Sequence, residues 1–162
     1  EEVKERVEEA LKLVGLDKAR HRYPFNLSKG QRHKLAVASV LAMRPKIIVL
    51  DEPTTGQDEV AISQILGLVN KLRNEGKTIL MITHDMSIVT RYADRTVVLS
   101  QGEILMDGPT REVFSHPEIL AKSYIDLPPI MKLARMLSEY GIPRNVLTVE
   151  EMRDLIVKRV KA

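Results

Sequence analysis

Apolar residues recur at helical spacing from the start of the chain. Val3, Val7, Ala10, Leu11 and Val14, with Gly15 ending the run, predict a helix over about residues 2–14. An irregular link follows through Asn26. A second helix is expected from about Lys29 to Met43, stopped by Pro45, whose ring restricts the residue before it. Its stretch Leu35 to Met43, broken only by Ser39, reads as a buried helix. Ile47 to Leu50 is a short all-apolar run, the pattern of a strand covered on both faces in a parallel sheet. Ile62, Ile65, Leu66, Val69 and Leu72 form a further helical stripe closed by Gly76, and Thr78 to Ile82 reads as a second buried strand. A short helix through Ala93, a strand Thr96 to Leu99, a Gln101-Gly102 turn and a strand Glu103 to Met106 complete the mixed part as a hairpin. Strands alternating with helices predict an open α/β sheet.

Beyond Pro117 only helices are indicated, at about 118–126, 129–140 and 149–160. The last has Thr148 with Glu151 three residues on, a capping-box pattern, and a stripe of Met152, Leu155, Ile156 and Val160. The expected organisation is therefore an α/β portion over 1–118 and a helical C-terminal extension over 119–162. Glu1 falls inside a helix pattern, which leads us to expect a piece of a longer protein.

Composition narrows the classes. The chain has 162 residues, is 44% hydrophobic, and contains no segment approaching the length that spans a bilayer as a helix. Zero cysteines exclude disulfides and thiolate metal sites. The net charge of +3 comes from bases interspersed with acids, so nucleic acid is not expected as a partner on charge grounds.

Three places carry chemistry. Asp51 follows four apolar residues and so sits at the carboxyl end of a strand, where open α/β sheets bind ligands. There an aspartate can hold a magnesium ion that bridges nucleotide phosphates. Glu52, one residue on, should point away from the metal-holding acid and face an attacking water. An acidic pair alone is more often a solvated cap, but the preceding buried strand and the following Pro53-Thr54-Thr55-Gly56 favour the functional reading. About twenty residues earlier, Ser28-Lys29-Gly30-Gln31 opens a helix and offers a hydroxyl and open amides to an anion, alongside plain N-capping by Ser28. His84 is expected to end the second strand beside the acid-bearing one, where an imidazole can hydrogen-bond a γ-phosphate. His21, His33 and His116 read as structural or surface groups. Gly76-Lys77-Thr78 imitates the tail of a phosphate loop, but position 71 is Lys71 rather than glycine, and the triplet joins a helix to a strand. We read it as a helix C-cap and a strand start.

In this order the motifs over 21–118 resemble the later half of an ABC transporter nucleotide-binding domain, a partial P-loop NTPase sheet. Leu27-Ser28-Lys29-Gly30-Gln31 resembles the signature motif, with Lys29 where glycine is usual. Ile47 to Asp51 resembles the Walker B strand, Glu52 the catalytic glutamate, Thr55-Gly56-Gln57-Asp58 the D-loop and His84 the switch histidine. The segment Asp107 to Phe114 and the helical extension look like those of energy-coupling factor importers, including cobalt and vitamin systems. The resemblance implies ATP and Mg2+ as cofactors, with Asp51 on the metal through water and Glu52 and His84 catalytic. Ser28, Lys29, Gly30 and Gln31 would act in trans on nucleotide held by a second ABC ATPase domain, with Gly56, Gln57 and Asp58 in the D-loop. It also implies transmembrane transporter subunits as partners and a peripheral place on the cytoplasmic face of the cell membrane. The lysine-bearing loop that should precede these motifs does not occur in the 162 residues, so this chain alone is expected to bind ATP poorly. A soluble ABC ATPase acting on nucleic acid or ribosomes shares these motifs, and a non-catalytic dimerisation fragment would too. The first would favour a long coiled coil or basic linker, and neither is present.

Overall fold

A computed structural model describes residues 1–161. They form two compact units, Glu1–Ile82 and Thr83 onward.

In the first unit, α1 (Glu2–Leu13) is followed by 3-10 turns at Asp17–Ala19 and Pro24–Asn26, then α2 (Lys29–Leu41), β1 (Ile47–Asp51), α3 (Glu59–Asn74) and β2 (Thr78–Ile82). Gly15 and Gly76 end their helices in the left-handed region, at φ 70° and 80°. After α3 the Gly76 N–H donates to the Arg73 carbonyl and the Lys77 N–H to the Leu72 carbonyl, the paired bonds of a Schellman stop. Gly76-Lys77-Thr78 is thus a helix stop leading into a strand. α2 ends at Leu41, short of Met43, and Arg44 takes a positive φ of 50° ahead of Pro45.

β1 and β2 pair in parallel, Ile47 opposite Thr78 and Asp51 opposite Ile82. Ala10, Leu11, Val14, Leu16, Ala38, Leu41, Ile48 and Leu72 form the core, so α1, α2 and α3 cover one face of the pair. The expectation that Ile47–Leu50 is covered on both faces fails. Ile48 is buried, but Ile47 and Val49 are 63% and 58% exposed, and on β2 Leu80, opposite Val49, and Ile82, opposite Asp51, are 52% and 51% exposed. A strand turns successive side chains to opposite faces, and the three helices reach only one. The Leu35–Met43 stretch is likewise amphipathic rather than buried: Ala38 and Leu41 point inward while Met43 is exposed.

The second unit holds α4 (Met86–Tyr92), β3 (Arg95–Ser100), β4 (Glu103–Pro109), α5 (Thr110–Val113), α6 (Pro117–Lys122), α7 (Pro129–Met136), a 3-10 turn (Leu137–Tyr140) and α8 (Val149–Val160). β3 and β4 form an antiparallel hairpin with a register shift between Val98 and Leu99, and Arg95 clasps Asp107 across it at 2.9 Å. Val98 packs with Val113, Phe114, Leu120, Met131 and Leu147, so the helical segment is built onto the hairpin. A second cluster, Ala134, Ile142, Val146 and Met152, joins α7 to α8. The helix expected to 140 changes to 3-10 winding at Leu137, and the one expected to 126 stops at Lys122. Thr148 caps α8 as expected, accepting from the Glu151 N–H at 3.2 Å. The reciprocal bond differs: Glu151 Oε2 accepts from the Leu147 N–H at 2.9 Å, one residue before the cap. Among the described residues no helix is long and apolar enough to cross a membrane.

Candidate functional site

The parallel register brings the carboxyl ends of β1 and β2 level, with Asp51 as the last residue of β1 beside Ile82. Asp51 is exposed, its side chain on the same side of the sheet as Val49. Glu52 does not continue the strand. Its φ is 45°, a left-handed conformation that costs a side-chain-bearing residue about 1–2 kcal/mol. The sequence-based expectation placed Glu52 by strand alternation, which does not apply once the residue has left the strand. What orients it is a set of bonds. Its N–H donates to the Ile82 carbonyl at 2.9 Å, its carbonyl accepts from the Thr55 N–H at 3.2 Å, and its Oε2 accepts from Thr55 Oγ1 at 2.7 Å.

The local sequence explains this turn. Pro53, at its second position, has a fixed φ and no N–H to satisfy, and Pro53 and Thr54 are buried. Gly56 takes φ 69°, and the Gln57 N–H closes the next turn onto the Thr54 carbonyl at 3.2 Å. Asp58 then caps α3, accepting from the Ala61 N–H at 2.8 Å. Gly56, Gln57 and Asp58 therefore lie on one short connection from the acid pair to a capped helix.

Ser28 is the N-cap of α2. Its Oγ accepts from the Gln31 N–H at 3.2 Å while Gln31 Oε1 accepts from the Ser28 N–H at 3.1 Å, a full capping box. Capping and anion binding coexist here, because an accepting hydroxyl keeps its proton to donate. Lys29 and Gly30 occupy the first two helical positions, are exposed, and carry amides with no intrahelical acceptor.

β2 ends at Ile82, so His84 does not end the strand but lies two residues past it, exposed, in a bend. The strand stops there because Asp85 begins the next helix, accepting from the Ser87 and Ile88 amides at 2.9 and 3.3 Å. Among the described residues no three histidines or carboxylates gather into a metal cage. Sequence reasoning missed two members of the acid turn, the Thr55 hydroxyl and the Ile82 carbonyl. The signal for Thr55 was a hydroxyl residue three positions after Glu52 across a proline turn.

The ABC transporter family's sequence profile matches residues 2–55. A Methanosarcina acetivorans protein described as an ABC transporter ATP-binding protein is 46% identical over 98% of this chain and 26% of its own length. The energy-coupling factor transporter ATP-binding protein EcfA2 of Caldanaerobacter subterraneus subsp. tengcongensis is 42% identical over 99% of this chain and 58% of its own length. The chain thus spans about a quarter to three fifths of the length of these curated relatives. The solved structure of cbiO1 from Clostridium perfringens, part of the ABC transporter complex cbiONQ, superposes with a TM-score of 0.63 at 38% identity, covering 80% of this chain and 52% of that one. Its α/β architecture is that of ABC ATPase structures. The chain belongs to the ABC transporter ATP-binding domain family.

Proposed function

We propose that this chain is part of the ATP-hydrolysing subunit of an ABC-type importer of the energy-coupling factor kind, coupling hydrolysis to solute uptake. The observation that carries this is the acid pair at the level carboxyl ends of β1 and β2, Asp51 beside Ile82 and Glu52 bonded to it. Open α/β sheets bind ligands at that end.

In this reading Glu52 orients a water and accepts its proton, the work of a general base. His84 hydrogen-bonds the γ-phosphate, and Ser28, Lys29, Gly30 and Gln31 meet the nucleotide of a second ABC ATPase domain. Gly56, Gln57 and Asp58 lie at the contact between the two domains. Asp51 fits Mg2+ through water, because magnesium is bound by one or two carboxylates plus nucleotide phosphates rather than by a protein cage. Bound there, the ion would neutralise charge on the phosphates. The complete protein would pair with a second ATPase domain and with transmembrane subunits at the cytoplasmic face of the membrane. The EcfA2 and cbiO1 likenesses support this reading over a nucleic-acid or ribosome ATPase.

We place the limit of the ATPase portion at about 118, with 119–162 as an appended helical region. That region packs on the hairpin through Leu120, Met131 and Leu147, and it also presents Leu133, Met136 and Tyr140 at 42%, 75% and 69% exposure. We assign that exposed side to subunit association. Ala134 of α7 and Leu137 of the 3-10 turn after it are used internally.

The test of the catalytic reading is Glu52→Gln in the complete protein. The amide keeps the shape and loses the base, so ATP binding persists while hydrolysis falls by roughly 10²–10⁴. Normal turnover in that variant rejects the assignment.

A further inference from the structure

We infer that Thr55 is a positioning residue for the Glu52 carboxylate, a role that rests on the proposed ATPase reading. Thr55 is bonded to Glu52 twice. Its N–H donates to the Glu52 carbonyl at 3.2 Å and its Oγ1 donates to Glu52 Oε2 at 2.7 Å. The first bond closes the turn around Pro53. The second reaches the carboxylate itself, at the short distance usual for a hydroxyl on a charged oxygen.

A glutamate side chain has three rotatable bonds, and a general base must hold its oxygen within hydrogen-bond reach of the water it deprotonates. The backbone of Glu52 is fixed by the Ile82 carbonyl and by its left-handed φ of 45°. Those constraints aim Cβ and do not reach the carboxylate. The Thr55 hydroxyl restrains it at the far end. It occupies one oxygen, Oε2, and so limits which way Oε1 faces. Thr55 itself is exposed, and its hydroxyl is not needed to fill the core. The Pro53 turn brings this hydroxyl back beneath the acid by local geometry alone, so the pairing requires no distant element.

The experiment compares Thr55→Ala, Thr55→Val and Thr55→Ser in the complete ATPase, each with and without Glu52→Gln. Thr55→Ala and Thr55→Val should lower kcat by roughly ten- to hundredfold, the scale of misplacing a catalytic group. KM for ATP should stay within about twofold, as for an interaction made only in the transition state. Thr55→Ser keeps the hydroxyl and should restore most of the rate. In the Glu52→Gln background the Thr55 substitutions should add no further loss, because they act through the missing carboxylate.

Full activity in Thr55→Val, or a serine variant as impaired as the alanine one, overturns the inference. So does a further loss in the Glu52→Gln background. If Thr55→Ala fails to fold, the valine and serine variants decide alone, since one keeps the β-branched shape and the other the hydroxyl. A Glu52→Gln protein that hydrolyses normally would instead sink the catalytic reading itself.

Discussion

The backbone N–H of Glu52 donates to the carbonyl of Ile82 at 2.9 Å. The residue after β1 is thus tied to the last residue of β2 by the next rung of the parallel ladder, yet it does not run on in extended form. Glu52 instead turns left-handed, φ 45°. Such strain persists only where surrounding bonds over-determine it, and here the Ile82 carbonyl and both groups of Thr55 do so.

That conformation makes a prediction with an inverted sign. In ordinary extended or helical positions glycine is less stable than alanine by about 0.5–1 kcal/mol. At position 52 the order should reverse. Both Glu52→Gly and Glu52→Ala lose the Thr55 bond to the carboxylate, so that loss cancels in their comparison. Only alanine retains the Cβ penalty, and Glu52→Gly should be the more stable by about 1 kcal/mol. Urea unfolding with equal slopes measures it, and a more stable alanine variant means the backbone at 52 is not left-handed.

Much of the architecture was legible because period and punctuation agreed. β2 runs from Thr78 to Ile82 and α8 ends at Val160, as read from an apolar run behind Gly76 and from a stripe behind Thr148. The exposure of Ile47 and Val49 was not legible, since an unbroken apolar run cannot say which of its faces is covered. Nor was the conformation of Glu52, which the Thr55 bonds and the carbonyl of Ile82, thirty residues away in sequence, hold together. His84 was placed too close to the strand, which stops at Ile82 because Asp85 caps the next helix. The acid pair and the Ser28 cap were visible as motifs; the bonds that aim Glu52 arise only once β1 and β2 pair and the Pro53 turn closes.

Ser28 has two duties that substitution can separate. Ser28→Ala removes the acceptor for the Gln31 N–H and should cost about 1 kcal/mol of stability. Ser28→Asp keeps a good N-cap, and its carboxylate suits a helix N-terminus, so stability should be retained. A negative charge facing a γ-phosphate should nevertheless abolish ATP-driven dimerisation of the complete protein. Gel filtration with a hydrolysis-deficient background reads the dimer, and thermal melting reads the cap. Normal dimerisation by the aspartate variant would confine Ser28 to capping.

Acid should loosen the second unit through Glu151. Burial pushes its carboxyl up, but the hydrogen bond from Arg111 and those from the Leu147 and Thr148 backbone outweigh this and hold it below the usual glutamate range. A carboxylate depressed in the folded state contributes stability that is fully present above its unfolded pKa of about 4.3 and is lost as pH falls through the folded value. Stability should therefore decline below about pH 4.3, more steeply in the parent than in Glu151→Gln. The amide cannot bind the proton that drives the loss. Parallel acid profiles for the two proteins, followed by circular dichroism, would show that Glu151 contributes none of the slope.

The last prediction concerns β2. The Thr78 N–H donates to the Lys46 carbonyl and the Ile82 carbonyl accepts from Glu52, so even-numbered residues of this strand turn their backbone groups toward β1. Amides alternate in direction along a parallel strand, which leaves those of Ile79 and Met81 on the other edge. Among the described residues that sheet has two strands and ends with β2. An edge with apolar neighbours such as Leu80 and Ile82, each about half exposed, is a template for another chain. In dilute solution of this chain, Thr78, Leu80 and Ile82 amides should exchange slowly and those of Ile79 and Met81 quickly. Raising the concentration until the chain self-associates should slow the odd-numbered pair selectively. Uniformly slow exchange in the dilute monomer would show that both edges of β2 are satisfied within the chain and that this strand is not an edge.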